Sequence, residues 1–296
     1  MKNLDLPFMG CLTERNQDMS TTMPSGEIAQ EERSARRLLS AIDDQQQIAP
    51  FSEQGPQFDI DAAYRITAEI RRLREARGER VLGRKIGFTN RSIWPEYGVS
   101  APIWGYVYDT TVHALPAPEP FDLSSFVEPR IEPEIVFGLS RAPQPDMDQR
   151  ALLCGVEWVA HGFEIVQSVY PGWRFATADT VAACGLHGAL LIGPRRIVRP
   201  AEAEGWFESL PTFRIALKRD DADVANGSGA NVLDGPLSAL RHLVGLLVDD
   251  AINPPLSAGE IVSTGTLTRA LPIAPGERWS TKLSGIQLPG ISLTLV

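Results

Sequence analysis

Two glutamates that lie two residues apart are the first candidates for chemistry in this sequence. Residues 129–137 have the sequence PRIEPEIVF, in which Glu132 and Glu134 alternate with other residues. Residues i and i+2 of a β-strand point to the same face, so both carboxylates would lie together beside apolar neighbours. Burying two uncompensated carboxylates is costly, and a hard divalent cation such as Mg²⁺ or Mn²⁺, which prefers oxygen ligands, would relieve that cost.

A third acid occurs in a similar segment. Glu164 lies within GFEIV, residues 162–166, another apolar run with one embedded carboxylate. Three carboxylates, with the remaining positions left to water or substrate, are sufficient for an open octahedral site. The alternative is that Glu132 and Glu134 lie on an exposed strand face and that Glu164 pairs with an arginine. The spacing alone does not choose between the two.

Lys85 is a cation of a type that this chain uses rarely. The chain has four lysines, and its other permanently positive side chains are arginines. Lys85 lies in GRKIGFT, residues 83–89, flanked on one side by apolar residues. In a functional role Lys85 would face an acidic substrate or transfer a proton, which arginine does less readily. The alternative is a surface lysine at the start of a strand. The segment taken alone favours the surface position.

Further residues are candidates for a pocket. Asp179 precedes an apolar helical turn, where its ordinary role would be helix capping. His187 lies in CGLHG and would either line a pocket or lie hydrogen-bonded in the core. The segment STGT, residues 263–266, follows an apolar strand, and the hydroxyl and N–H groups around Gly265 suit an anion or an ordinary turn.

The elements that must position these residues begin with helices. Residues 1–25 are polar and without period, which indicates a flexible extension. A helix is predicted from one apolar stripe, formed by Ala35, Leu38, Leu39 and Ile42. A second helix is predicted to begin at Asp59 or Asp61 and to end before Gly78. Residues 26–80 therefore form a small N-terminal helical unit.

Residues 81–296 are predicted to form a β-rich catalytic domain. One helix interrupts it, with Asp234 as the expected cap and an apolar stripe from Leu237 to Leu247. Elsewhere short apolar runs alternate with glycine and proline, at residues 86–88, 103–107, 131–139, 163–166, 190–192, 213–217, 261–262 and 291–296. Helices joined to many short strands indicate an α+β protein.

Composition excludes several functional classes. The formal charge is −9 with no basic stripe, which argues against nucleic-acid binding, and no apolar run is long enough for a membrane span. The three cysteines are widely spaced and form neither a disulfide framework nor a zinc site. With no signal-peptide pattern at the start, the expected location is the cytoplasm.

Taken together, the segments resemble the fumarylacetoacetate hydrolase superfamily, in its 2-oxopent-4-enoate hydratase and 4-oxalocrotonate decarboxylase branch. The segments that carry the resemblance occur in the same order over residues 30–296. They are DAAY (61–64), GRKIGFT (83–89), YGV (97–99), WGYV (104–107), RIEPEIVF (130–137), FEIVQS (163–168), DTVA (179–182) and GEIVSTGT (259–266). The resemblance implies a β-rich roll or sandwich with a small N-terminal helical unit, and a homo-oligomer.

The resemblance also assigns roles to the candidate residues. Glu132, Glu134 and Glu164 would be ligands of Mg²⁺ or Mn²⁺, and Lys85 and Asp179 would be catalytic. The implied substrate contacts come from Thr89, His187, Thr264, Gly265 and Thr266. Two segments depart from the branch, because Ala183-Cys184 stands where Asp-Asn is frequent and Gln167-Ser168-Val169 where Asp-Ser-Arg is frequent.

The implied activity is metal-dependent hydration of a 2-hydroxy-2,4-dienoate to a 4-hydroxy-2-oxo acid, in the breakdown of aromatic compounds. Decarboxylation of a 4-oxalocrotonate-like acid is the first alternative, and C–C hydrolysis of an acylpyruvate-type diketo acid is the second. All three reactions begin from the same stabilised enolate of a small 2-oxo acid, so the residues do not separate them. A non-catalytic protein that binds an oxo acid is a further alternative.

Overall fold

The structure is a computed structural model that describes residues 25–54, 58–117 and 119–296. The predicted flexible extension, residues 1–25, lies outside the described residues except for Ser25. Seven α-helices occur in the described part of the chain. They are α1 (Ser25–Asp43), α2 (Ile60–Ala76), α3 (Trp94–Tyr97), α4 (Gln149–Leu153), α5 (Thr177–Ala182), α6 (Ala203–Thr212) and α7 (Pro236–Val248).

Strands make up most of the remaining regular structure. They are β1 (Val81–Gly87), β2 (Ile103–Tyr108), β3 (Val112–Ala114), β4 (Arg130–Leu139), β5 (Val156–Val166), β6 (His187–Ile192), β7 (Arg196–Ile197), β8 (Arg214–Arg219), β9 (Ala222–Ser228), β10 (Ile261–Thr266), β11 (Leu271–Pro272), β12 (Arg278–Ser284) and β13 (Ser292–Thr294). The predicted apolar runs therefore correspond to strands, and the α+β class is confirmed.

The strands form two sheets. The larger has nine strands in the order β2-β1-β10-β4-β5-β6-β3, with β11 also paired to β4 and β7 to β5. Pairing is antiparallel except for β1 with β10 and β3 with β6, which run parallel. The smaller sheet has the order β13-β12-β8-β9. This topology brings β1, β10, β4 and β5 side by side, although they are far apart in the sequence.

Two predicted helices form the N-terminal unit. The stripe of α1 and the buried face of α2, which includes Ile66 and Ile70, share one apolar cluster with Val181 of α5. Asp59 caps α2 by accepting a hydrogen bond from the N–H of Ala62 at 2.8 Å, as the sequence predicts. The helical unit is thereby packed onto the β-rich body.

The predicted cap of α7 is wrong. Gly235 is the N-cap residue and Pro236 opens the helix, where its fixed φ and missing N–H are tolerated. Asp234 instead has a left-handed backbone with φ of 69°, and its exposed carboxylate pairs with Arg91 at 2.8 Å. The Pro236 ring therefore determines where this helix begins, and the acid in front of it does not.

Apolar clusters cover both faces of the larger sheet. On one face Phe163 and Ile165 of β5 pack with Leu217 and Trp279 of the smaller sheet. On the other face an apolar cluster includes Val136 of β4, together with Val107, Ala160, Leu190 and Ile192. Alternation along β4 and β5 puts Glu134 and Glu164 on the face of Val136, which explains why these carboxylates are buried.

Asp179 joins the N-terminal unit to the body. It is fully buried in the first turn of α5, and its carboxylate accepts hydrogen bonds from the N–H of Ala176 at 2.9 Å and from the N–H of Ser52 at 3.1 Å. The hydroxyl of Ser52 donates to the same carboxylate. The Asp179 side chain therefore caps the first turn of α5 and links the turn that contains Ser52 to this helix.

Replacing this carboxylate should destabilise the fold. In Asp179→Asn the amide keeps the shape but has one acceptor oxygen in place of two, so a buried N–H or hydroxyl loses its partner at a cost of about 2 kcal/mol. Urea unfolding measures the loss, with the exposed Asp146→Asn as the control. An unfolding free energy equal to that of the control would contradict the structural role.

Candidate active site

Strand register brings the three predicted acids together. Glu132 of β4 lies directly opposite Glu164 of β5, and Glu134 lies opposite Gly162. Each of the three glutamates offers an oxygen, and these oxygens all lie within 4.8 Å of one another. Glu134 and Glu164 are fully buried and Glu132 is half-buried. The alternative of an exposed acidic strand face is therefore wrong.

Lys85 completes this cluster from β1. Its side chain is buried, with Nζ 2.9 Å from Oε2 of Glu164, and it donates a hydrogen bond to the carbonyl oxygen of Gly185 at 3.0 Å. Because β10 separates β1 from β4 in the sheet, the lysine reaches the acids across one intervening strand. The alternative of a surface lysine is therefore wrong.

The intervening strand, β10, holds Glu134 in place. Ser263 donates its hydroxyl to Oε2 of Glu134, and the N–H of Gly265 donates to the same oxygen at 2.9 Å. Gly265 has φ of 98°, and a Cβ there would lie 1.9 Å from Oγ1 of Thr89. Glycine is therefore required at this position both for its backbone conformation and for space.

The predicted substrate contacts differ in where they lie. Thr266 lines the cleft described below, whereas the hydroxyl of Thr264 donates to the carbonyl oxygen of Ile135 at 3.0 Å. Thr89 is buried beside Gly265, and its hydroxyl has no hydrogen-bond partner in the described structure. Contact between any of these residues and a substrate stays a prediction.

His187, another predicted contact, lies against a carboxylate of the cluster. Its Nδ1 is 2.8 Å from Oε1 of Glu164, and its Nε2 is 2.8 Å from the hydroxyl of Thr111. Asp179 is predicted to be catalytic, but its carboxylate accepts hydrogen bonds from the N–H groups of Ser52 and Ala176. The neighbouring Thr180 lines the cleft. A catalytic role for Asp179 and a substrate contact for His187 stay predictions.

The cluster carries an excess of buried negative charge. Burial raises the pKa of Glu134 well above its usual value, and the neighbouring Glu164 adds to the shift. Burial likewise raises the pKa of Glu132, to about 7, because Lys85 offsets only part of the cost. Burial acts in the same direction on Glu164, but Lys85 and His187 outweigh it and hold the pKa of Glu164 at about 2. One ammonium thus compensates one carboxylate of three.

This donor set fits a divalent cation. Oε1 of Glu134 is buried without any hydrogen-bond partner, and Oε2 of Glu164 has the nearby Lys85 ammonium but no well-directed hydrogen bond. Unpaired buried carboxylate oxygens are rare in folded proteins because they are costly. A cluster of three carboxylates, in which an oxygen of Glu134 and one of Glu164 lack a directed hydrogen bond, suits a hard cation with oxygen ligands.

A cleft opens onto the cluster. Lys85, Glu132, Thr180 and Thr266 contribute polar surface to it. Its apolar wall is formed by Phe88, Ile93, Ile103, Val166, Trp173 and Phe175. Two arginines also line it, and Arg130 stacks on the Trp173 ring with Cζ 3.9 Å from the ring centroid, while Arg269 pairs with Glu96. The charged side chains of the cluster thus lie at the buried end of a largely apolar cleft.

Comparison with known proteins identifies the family. No protein-family model matches the chain. A 2-hydroxyhexa-2,4-dienoate hydratase from Comamonas testosteroni is 30% identical over 264 residues, which are 89% of this chain and 97% of that protein. A 2-keto-4-pentenoate hydratase from Paraburkholderia xenovorans is 30% identical over 260 residues, 87% of this chain and 92% of that protein.

The chain belongs to the branch formed by the 2-keto-4-pentenoate hydratases and 4-oxalocrotonate decarboxylases. A solved structure in this branch, 4-oxalocrotonate decarboxylase from Pseudomonas putida complexed with magnesium and adipate, superposes with a TM-score of 0.81. It is 25% identical, and the superposition covers 90% of this chain and 98% of that chain. A putative fumarylacetoacetate isomerase/hydrolase from Oleispira antarctica superposes with a TM-score of 0.52 over 73% of this chain and 94% of that chain, at 17% identity, so the predicted fumarylacetoacetate hydrolase type of fold is confirmed. None of the described helices combines the length and the apolar character needed to cross a membrane.

Several site residues of this family member are not predicted from the sequence. Ser263 and Thr111 are small hydroxyl residues whose partners, Glu134 and His187, lie far away in the sequence. The STGT segment signals an anion contact, but the anion that it meets is a carboxylate of the same chain. The sequence thus signals Ser263 through this segment and His187 through its Gly-flanked position, whereas Thr111 has no sequence signal.

The pKa of Glu132 predicts how acidity and metal ions affect stability. Between pH 4.5, the usual value, and about 7 the folded state binds more protons than the unfolded state, so the metal-free protein loses stability as the pH rises through this window. A divalent cation binds the deprotonated carboxylates, so its stabilising effect should be small at pH 5 and large at pH 8.

Thermal unfolding with and without excess Mg²⁺ at these two pH values measures both effects. At 100 times the dissociation constant, Mg²⁺ should stabilise the protein at pH 8 by about 2.7 kcal/mol. The exposed Glu204→Gln is a control that should retain the full effect. An equal rise in melting temperature at both pH values would contradict the assignment of these carboxylates.

Proposed function

We propose that the protein is a metal-dependent hydratase that adds water to a 2-hydroxy-2,4-dienoate of the 2-oxopent-4-enoate type. The product is a 4-hydroxy-2-oxo acid, and the reaction belongs to the breakdown of aromatic compounds. The observation that carries the proposal is the cluster of Glu132, Glu134 and Glu164 with Lys85 at the buried end of the cleft, in a chain of this family. The family resemblance leads us to propose a homo-oligomer as well, which a mass measurement by light scattering tests.

We propose Mg²⁺ or Mn²⁺ as the cation held by the three glutamates. All the donors are carboxylate oxygens, which both ions favour. A bound cation would act as a Lewis acid on the 2-oxo acid end of the substrate and stabilise charge that develops on its 2-oxygen. The 2-oxygen and one carboxylate oxygen of such a substrate are spaced to bind one cation together.

Lys85 supplies a fixed positive charge beside that end of the substrate. Burial alone would lower its pKa, but Glu164, Glu132 and Glu134 outweigh it and raise the pKa above its usual value. The ammonium therefore remains protonated in the free protein and attracts an anionic substrate into the cleft. Its hydrogen bond to the carbonyl oxygen of Gly185 fixes its position at the cleft surface.

The apolar wall of the cleft suits the diene part of the substrate. Phe88, Trp173 and Phe175 present aromatic rings, and Ile103 and Val166 complete a surface that excludes water from the conjugated chain. A dienoate with one carboxylate thus places its charge at Lys85 and its hydrocarbon on the apolar wall. This division of the cleft favours a substrate with a short uncharged tail.

Decarboxylation of a 4-oxalocrotonate-like acid is the second candidate. Such a substrate has a further carboxylate, which needs a cation at a distance from Lys85. Arg130 and Arg269 line the same cleft and supply positive charge there. The similar structure at a TM-score of 0.81 is a decarboxylase in complex with adipate, which is also a dicarboxylate.

Direct assay separates the two candidates. With Mg²⁺ or Mn²⁺ present, the protein should remove the ultraviolet band of 2-hydroxypenta-2,4-dienoate or a longer homologue faster than the spontaneous ketonisation, with formation of a 4-hydroxy-2-oxo acid. Release of CO₂ from 4-oxalocrotonate, with no hydration of any dienoate, would replace the hydratase by the decarboxylase. Activity on neither class would contradict both.

Substitution of single site residues tests the assignment of the chemistry. Glu134→Gln removes a carboxylate that has an unpaired oxygen, so kcat should fall by about 100-fold or more. The protein should stay folded, because glutamine has the same shape and removes a buried acid. Glu204→Gln alters an exposed glutamate and should leave kcat unchanged. Turnover by Glu134→Gln at the rate of this control would show that the site is elsewhere.

A further inference from the structure

A continuous series of hydrogen bonds leads from Glu164 to the turn between β2 and β3. Oε1 of Glu164 is 2.8 Å from Nδ1 of His187, and Nε2 of the same ring is 2.8 Å from the hydroxyl of Thr111. The hydroxyl oxygen of Thr111 accepts a hydrogen bond from the N–H of Tyr108 at 3.3 Å. The histidine is buried and the threonine half-buried, so these bonds are largely shielded from water.

The partners determine the direction of each bond. The carboxylate of Glu164 only accepts, so the proton between it and His187 belongs to Nδ1. In a neutral imidazole one ring nitrogen donates and the other accepts, so Nε2 accepts the hydroxyl proton of Thr111. The same hydroxyl lies 3.1 Å from the carbonyl oxygen of Tyr108, to which it can also donate, so the series ends on the backbone of Tyr108.

We propose that His187 and Thr111 are positioning residues, which fix the plane of the Glu164 carboxylate for a divalent cation. His187 holds Oε1 while Lys85 contacts Oε2, so the carboxylate cannot rotate without losing one of the two. The inference rests on the proposed function through the metal that Glu164 would hold. Groups that orient a metal ligand in this way typically contribute a factor of about 10 to 100 to metal affinity.

A second series with the same chemistry provides a matched control. Nδ1 of His161 is 2.9 Å from the backbone carbonyl oxygen of Glu134, and its Nε2 is 3.0 Å from the hydroxyl of Thr281. That hydroxyl accepts a hydrogen bond from the N–H of Ile291 at 3.1 Å. This series ends on a carbonyl oxygen and not on a carboxylate, so it secures the strand without orienting a ligand oxygen.

The test compares Thr111→Val with Thr281→Val, because each removes one hydroxyl and leaves a buried histidine nitrogen unpaired. Titration of the metal-free proteins with Mn²⁺, followed by calorimetry and by the Mn²⁺ electron paramagnetic resonance signal, measures the affinity without any turnover. Thr111→Val should weaken Mn²⁺ binding by about 10-fold or more. Thr111→Ser should restore wild-type affinity because it returns the hydroxyl, and Thr281→Val should lower the melting temperature without changing the affinity.

Three outcomes decide the matter. Wild-type affinity in Thr111→Val would overturn the inference and leave the proposed function intact. An equal loss of affinity in Thr111→Val and Thr281→Val would also overturn it, since the loss would then follow stability. Failure of the wild-type protein itself to bind Mn²⁺ would overturn both the inference and the metal-dependent function.

Discussion

Three carboxylates clustered beside a single ammonium, two of them fully buried, are the constraint on which the rest of this site depends. Antiparallel pairing of β4 with β5 forces Glu132, Glu134 and Glu164 onto one face, and Lys85 neutralises one of them. Uncompensated charge of this kind would destabilise an ordinary core by several kcal/mol per ion. The chain retains it, which is expected where stability is sacrificed for the binding of a cation.

Hydrogen bonds and an ion pair around the carboxylates offset part of the free energy that their burial costs. Glu134 accepts directed hydrogen bonds from Ser263 and from the N–H of Gly265, and Glu164 has a hydrogen bond with His187 and an ion pair with Lys85. The donors lie on strands or at their ends, so the sheet ladders hold them rigidly. The apolar residues of the cleft begin where this polar network ends, which separates the charged end of a substrate from its hydrocarbon end.

Local patterns predicted much of the fold and the identity of the acids. The i, i+2 spacing of Glu132 and Glu134 is a property of one strand, and the cap at Asp59 is a property of one helix end, so neither needs knowledge of the rest of the chain. Pairing between distant strands is different, because Ser263 and Thr111 acquire partners only through register. Asp234 failed as a cap since Pro236 set the start of α7. The buried position of Lys85 beside the acids likewise follows from the sheet order and not from its own segment.

The most direct test of the metal centre is a crystal structure of the protein grown with Mn²⁺ and oxalate, with anomalous diffraction recorded for manganese. We predict one strong anomalous peak per chain among Glu132, Glu134 and Glu164, at about 2.1 to 2.3 Å from an oxygen of each, with oxalate on the open side toward Lys85. A peak elsewhere, or three carboxylates that keep their present partners with no manganese between them, would contradict the assignment of these glutamates as metal ligands.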